Sequence, residues 1–130
     1  MNRKSLFIVI LILASLTLHA CGQGKEQKPE NISEAHYNYG LKALEIVDSY
    51  LDFDSTSEEA QEKMDALIKE QGNLPETEFK DANHLKNSNV EHHITMLSYS
   101  LSKVSYGKGT YDDVLSKRND LAKVLNEKDR

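Results

Sequence analysis

The chain has no tryptophan and a single cysteine in 130 residues. One cysteine excludes an internal disulfide, so any core must be held by apolar packing alone. Six tyrosines and three phenylalanines supply the aromatic bulk for it. Basic clusters are also missing: 16 Lys and Arg face 21 Asp and Glu, for a net charge of −5. A balance this acidic lacks the electrostatic footprint of a nucleic-acid binder, and of a patch drawn to anionic lipid. No long hydrophobic run is present either. The longest nearly unbroken one, Leu6 to Leu18, is 13 residues, against the roughly 20 that a membrane-crossing helix needs.

What that run does have is the right surroundings. Asn2-Arg3-Lys4 puts positive charge before it, and Leu18-His19-Ala20-Cys21 follows. Charge, apolar core and a small-residue cleavage position, in that order, read as a secretory signal peptide. With cysteine directly after the small residue, the segment resembles the lipobox of bacterial lipoproteins. Leu18, Ala20 and Cys21 fill its three defining positions, and His19 stands where the pattern prefers a small residue. The resemblance implies cleavage between Ala20 and Cys21, and diacylglycerol on the cysteine sulfur. The mature chain would then sit on the extracytoplasmic face of the cell membrane. Two acyl chains, of the palmitate kind, each worth about 0.8 kcal/mol per buried methylene, anchor stably where one is marginal. The mature chain would carry 14 basic and 21 acidic residues, or −7. Its small size and simple tether also resemble the small lipoproteins of Gram-positive bacteria.

This division predicts a signal over residues 1–20, a lipidated cysteine and flexible tether over 21–31, and one helical domain over 32–130. Gly22 to Glu30 is polar and Gly-containing, and stretched out its nine residues span roughly 30 Å. Beyond it the apolar residues recur at helical spacing. Tyr37, Leu41, Leu44, Val47 and Leu51 form one stripe of a first helix from about Ser33, with Asn31 or Ser33 as cap. Tyr39, Ala43, Ile46 and Tyr50 form a second stripe beside it, so this helix is expected to be the central one. Thr56 and Glu59 have capping-box spacing ahead of a second helix, with Ala60, Met64, Leu67 and Ile68 inward and Gly72 as a left-handed terminator. A third helical segment is predicted from about Glu76 to Ser105, broken near Ser88 by the poor helix formers Asn87-Ser88-Asn89. Its first part holds Phe79, Ala82 and Leu85, and its second the stripe Val90, Ile94, Leu97, Leu101 and Val104. Gly107 to Thr110 turns the chain into a last helix reaching about Glu127. The expected fold is all-α, a small antiparallel bundle of about four helices built on an α-hairpin.

Few residues point to chemistry. His84, His92 and His93 lie close in sequence, but His92 and His93 project about 100° apart on a helix and cannot share a metal. Asp81 and His84 are correctly spaced, yet they are two ligands, with His36 a distant third. Gly107-Lys108-Gly109-Thr110 lacks the first glycine of a phosphate loop, since Ser102 stands there. Glu58/Glu59 and Asp112/Asp113 fall in first helical turns, where the dipole favours negative charge. No nucleophile elbow, calcium loop or cofactor motif is present, so no enzyme, metal or cofactor is expected. What survives is a line of His92, Tyr99, Lys103 and Tyr106 opposite the apolar stripe of the third helix, which is interface material unless the first helix covers it. The reading is a lipid-anchored protein-interaction module with an extracytoplasmic protein partner. A small-ligand or metal carrier using His84, His92 and Asp81 is the alternative.

Overall fold

A computed structural model describes residues 27–76 and 81–130. The signal segment, Cys21, the first part of the tether and Phe79 lie outside the described residues. The described chain is all-α: α1 (Glu34–Leu51), α2 (Ser57–Glu70), a short 3-10 turn (Gln71–Asn73), α3 (His84–Ser105) and α4 (Tyr111–Leu125).

Three of the four long helices start where a side chain takes up free backbone donors. The Ser33 hydroxyl accepts from the His36 N–H and caps α1. Thr56 with Glu59, and Thr110 with Asp113, form reciprocal capping boxes for α2 and α4. The Asp113 carboxyl is held below the usual range by its hydrogen bonds from the Thr110 backbone and hydroxyl. α3 is the exception, with no side-chain cap at Asn83.

Successive helices run antiparallel around a ring, as their cross-links show. Lys42 of α1 meets Glu70 of α2, and Gln61 of α2 meets Ser98 of α3. Leu51 and Asp48, late in α1, meet Tyr111 and Arg118, at the start and the middle of α4. The ring is flattened so that α1 also touches α3 across it. The core around this diagonal is Val47, Leu51, Met64, Val90, Ile94, Leu97, Leu101, Val114, Leu121 and Leu125, all 2% exposed or less. Each such aliphatic side chain gains about 1.5–3 kcal/mol on burial. Both α1 and α3 therefore pack on all three others, so the central role expected of the first helix is shared with the third.

Two expected details give way to tertiary contacts. The third segment does not break near Ser88; α3 runs unbroken through it, and begins only at His84. Ala82 belongs to a turn before the helix, in which Asp81 accepts from the Asn83 N–H, and Leu85 is 75% exposed. Asn87 is no breaker because its side chain is buried and accepts from the Ser33 N–H at 2.9 Å. Gly72 is not left-handed either; α2 tightens into the 3-10 turn around it.

The described end of the tether lies on the domain: the Gln27 carbonyl accepts from Asn126, and Lys28 donates to the Ile32 carbonyl. After α4 the tail folds back over α1 and α4. The buried Arg118 guanidinium holds both Asp48 oxygens, at 2.9 and 3.1 Å, and also donates to the Lys128 carbonyl. Arg130 reaches Asp48 and Asp52 and holds the Asp52 carboxyl below its usual range.

Gly40 sits mid-helix in α1, where a Cβ would lie 2.7 Å from Leu125 Cδ1. Alanine there gains about 1 kcal/mol in helix propensity. Overpacking against the fully buried Leu125 costs more, about 1–3 kcal/mol. Gly40→Ala should therefore lower stability by about 1 kcal/mol in urea unfolding; a gain would show that Leu125 moves aside freely.

Candidate functional site

With Val90, Ile94, Leu97 and Leu101 committed to the core, the opposite side of α3 presents His92, Tyr99, Lys103 and Tyr106. Neither α1 nor any other described element covers the two tyrosines, which are 61% and 77% exposed. The second stripe of α1 goes elsewhere. Tyr39 and Ala43 enter the core, Ile46 lines the groove between α1 and α2, and Tyr50 turns to Tyr111.

Lys103 lies beside Tyr99, its Nζ 5.9 Å from the ring centroid. That is the outer limit of a cation–π contact, worth about 0.5–1 kcal/mol at an exposed site. The Lys103 carbonyl accepts from the N–H groups of Lys108 and Gly109, at 2.8 and 3.0 Å. Gly107 is left-handed, and a Cβ on Gly109 would lie 2.9 Å from that of Lys103. The two glycines thus serve a tight turn that fixes the end of α3. Beside this line, a shallow groove of about 220 Å³ runs between α3 and α4, with Met96, Tyr99 and Lys103 on one wall and Asp113 and Lys117 on the other. An amphipathic aromatic pair with a cation between and a carboxylate opposite can hydrogen-bond, stack and ion-pair with a partner surface.

His92 is exposed, and its ring meets that of His93 edge-on at 5.6 Å. His93 is half-buried, and burial pushes its pKa down, opposed by Asp120 and helped by His92 and Lys117. His84 borders a different cleft, beside His36 and Glu91. His92 and His93 thus lie apart from His84, and among the described residues no three His, Cys, Asp or Glu side chains converge as metal ligands.

A second buried polar group, beside that of Arg118 and Asp48, is one the sequence offers only weak signals for. His36 is 2% exposed. Its Nδ1 lies 2.7 Å from the Ser33 hydroxyl and its Nε2 2.9 Å from Glu91 Oε1, while Gln71 donates to the other Glu91 oxygen at 2.9 Å. A ring that donates from Nε2 and accepts at Nδ1 satisfies this chain of bonds. Asn87 and Glu91 at i and i+4, beside the Val90/Ile94 stripe, are the pattern that points to a polar pair facing inward. The cleft over this group, about 540 Å³, is also lined by Glu76, His84 and Ser88. The hydroxyl is engaged as the cap of α1 and both carboxylate oxygens are held, so the group braces α1, α3 and the 3-10 turn. Nearby, burial, with Glu91 and Glu70 adding to it, pushes the Tyr39 hydroxyl up to about 12.

An imidazole whose pKa is lowered by folding binds its proton more weakly in the fold than in the unfolded chain. Acid then favours unfolding, beginning near the free value of about 6.5 and continuing down to the lowered one. His93→Gln should flatten the fall in stability between pH 7 and pH 5, read from urea midpoints. An unchanged slope would mean that His93 titrates normally.

Compared with known protein families, curated proteins and solved structures, the chain matches none.

Proposed function

We propose that the protein is a lipid-anchored, extracytoplasmic interaction module that presents its helical domain to a protein partner at the cell membrane. The anchoring half rests on Leu18, Ala20 and Cys21 and on the polar segment that follows them. The interaction half rests on one observation: Tyr99 and Tyr106 stand exposed on one line along α3 and the residue that ends it, with Lys103 between them. Tyrosine brings large contact area with two rotatable bonds, so little conformational entropy is lost when a partner covers it. The acidic surface adds steering toward partners of opposite charge.

Both halves are open to test. Cys21→Ala should move the chain from the membrane fraction to the soluble or secreted one, and mass spectrometry of the wild-type N-terminus should find a modified cysteine. An unmodified Cys21 in a membrane-bound chain would reject the lipid anchor. Tyr99→Ala with Tyr106→Ala should weaken capture of the partner at least tenfold, about 1.4 kcal/mol. The stability cost should stay within about 0.5 kcal/mol per site, as for other exposed positions. Undiminished capture would reject this face.

A further inference from the structure

Four described residues have left-handed backbone: Asn31, Phe53, Gly107 and Asn126, with φ between 59° and 68°. Three of them are Gly or Asn, the types that tolerate this region, and Gly107 and Asn126 end α3 and α4 in the usual way. Phe53 occupies the matching position after α1, where a bulky side chain is a genuine outlier. Nor is its ring used by the core, since it is 83% exposed. It lies flat on Tyr111, with centroids 5.9 Å apart and planes 13° apart. Tyr111 is fixed in turn by its hydrogen bond to the Leu51 carbonyl and by Tyr50 at 6.3 Å. The chain thus strains its backbone to hold an aromatic ring in water on a rigid base.

The surroundings indicate the charge of whatever meets that ring. Asp54 directly follows Phe53 and Asp112 directly follows Tyr111, and both are exposed, while Asp52 is already answered by Arg130. Glu59 and Asp113 are engaged as caps, and Lys108 is the exposed cation in the turn before α4. An aromatic face among carboxylates attracts a cation twice, through the ring quadrupole and through charge. The site also lies at the end of α4 away from Gln27, about 22 Å off at 1.5 Å per residue.

We infer that the stacked Phe53–Tyr111 pair, with Asp54 and Asp112 next to its two rings in sequence, is a docking point for an exposed Arg or Lys side chain of a protein partner. This rests on the interaction-module reading and adds to it a second place of contact and the chemistry of the partner.

The test uses the full chain in living cells, with the photo-cross-linking amino acid benzoylphenylalanine at position 53 or, separately, at position 99. The expected result is a product at position 53 whose attached peptide, mapped by mass spectrometry, carries Arg or Lys at the cross-link. A second copy of this chain, or a peptide without basic residues, overturns the inference. A product at position 99 alone also overturns it while leaving the interaction reading standing; no product at either position overturns both. Phe53→Gly supplies the independent check, because glycine suits the left-handed backbone. Its melting temperature should match or exceed the wild type, while its affinity for the probe peptide acetyl-(Arg-Gly)4-amide, followed by NMR, falls at least fivefold. A melting temperature lower by more than about 4 °C would show that the fold itself requires Phe53, and an unchanged affinity would show that the ring holds no cation; either result overturns the inference.

Discussion

The contact between α1 and α3 across the ring is the constraint on which the rest of the bundle depends. Four helices in a ring can shear into a square or collapse along either diagonal, and small or well-paired residues choose which. Here Ala43 and Val47 bring α1 inward, and Val90, Ile94 and Leu97 answer from α3. At one end the same diagonal is closed by polar groups, His36 to Glu91 and the Ser33 N–H to Asn87. Burying such groups is costly unless they are paired, and every register in which they separate is penalised. The apolar contacts supply the stability, and the polar ones select the arrangement.

That selection has a consequence for the surface. Once α3 commits one side to α1 and its flanks to α2 and α4, its remaining arc must face water. Tyr99, Lys103 and Tyr106 occupy that arc, so their exposure follows from the packing of residues on the far side of the helix. The same holds at the turn after α1, where Tyr111 is fixed by Leu51 and Tyr50 and in turn supports Phe53. Both aromatic surfaces are set by rigid elements, and neither needs a mobile loop.

Much of the fold was legible because its signals are local. Thr56 with Glu59 and Thr110 with its acidic first turn mark helix starts through groups three residues apart, and the spacing of Val90, Ile94, Leu97 and Leu101 marks an inner face within one helix. What was not legible depends on residues distant in sequence. Asn87 looks like a helix breaker until Ser33 is placed against it, and Gly40 looks like a weak point until Leu125 fills the space beside it. His36 is one histidine among five until Glu91 arrives from 55 positions away. Phe53 is hidden for another reason: nothing in a sequence distinguishes a phenylalanine that is buried from one held in the left-handed region. The candidate line on α3 could be read from helical spacing, but whether another helix covered it could not, because that turns on which diagonal the ring takes.

The Gln27 carbonyl, bonded to Asn126, and the Phe53 turn lie at opposite ends of one helix, α1, and this has a mechanical meaning. A pull applied at residue 27 and resisted at the Phe53 turn would run along the axis of α1. The load would lengthen α1 itself, and the His36–Glu91 bond near its start and the Arg118–Asp48 bond near its end would tie it to α3 and α4 against that lengthening. Such bracing acts in the one direction set by the two ends of α1, in a domain that no disulfide ties together.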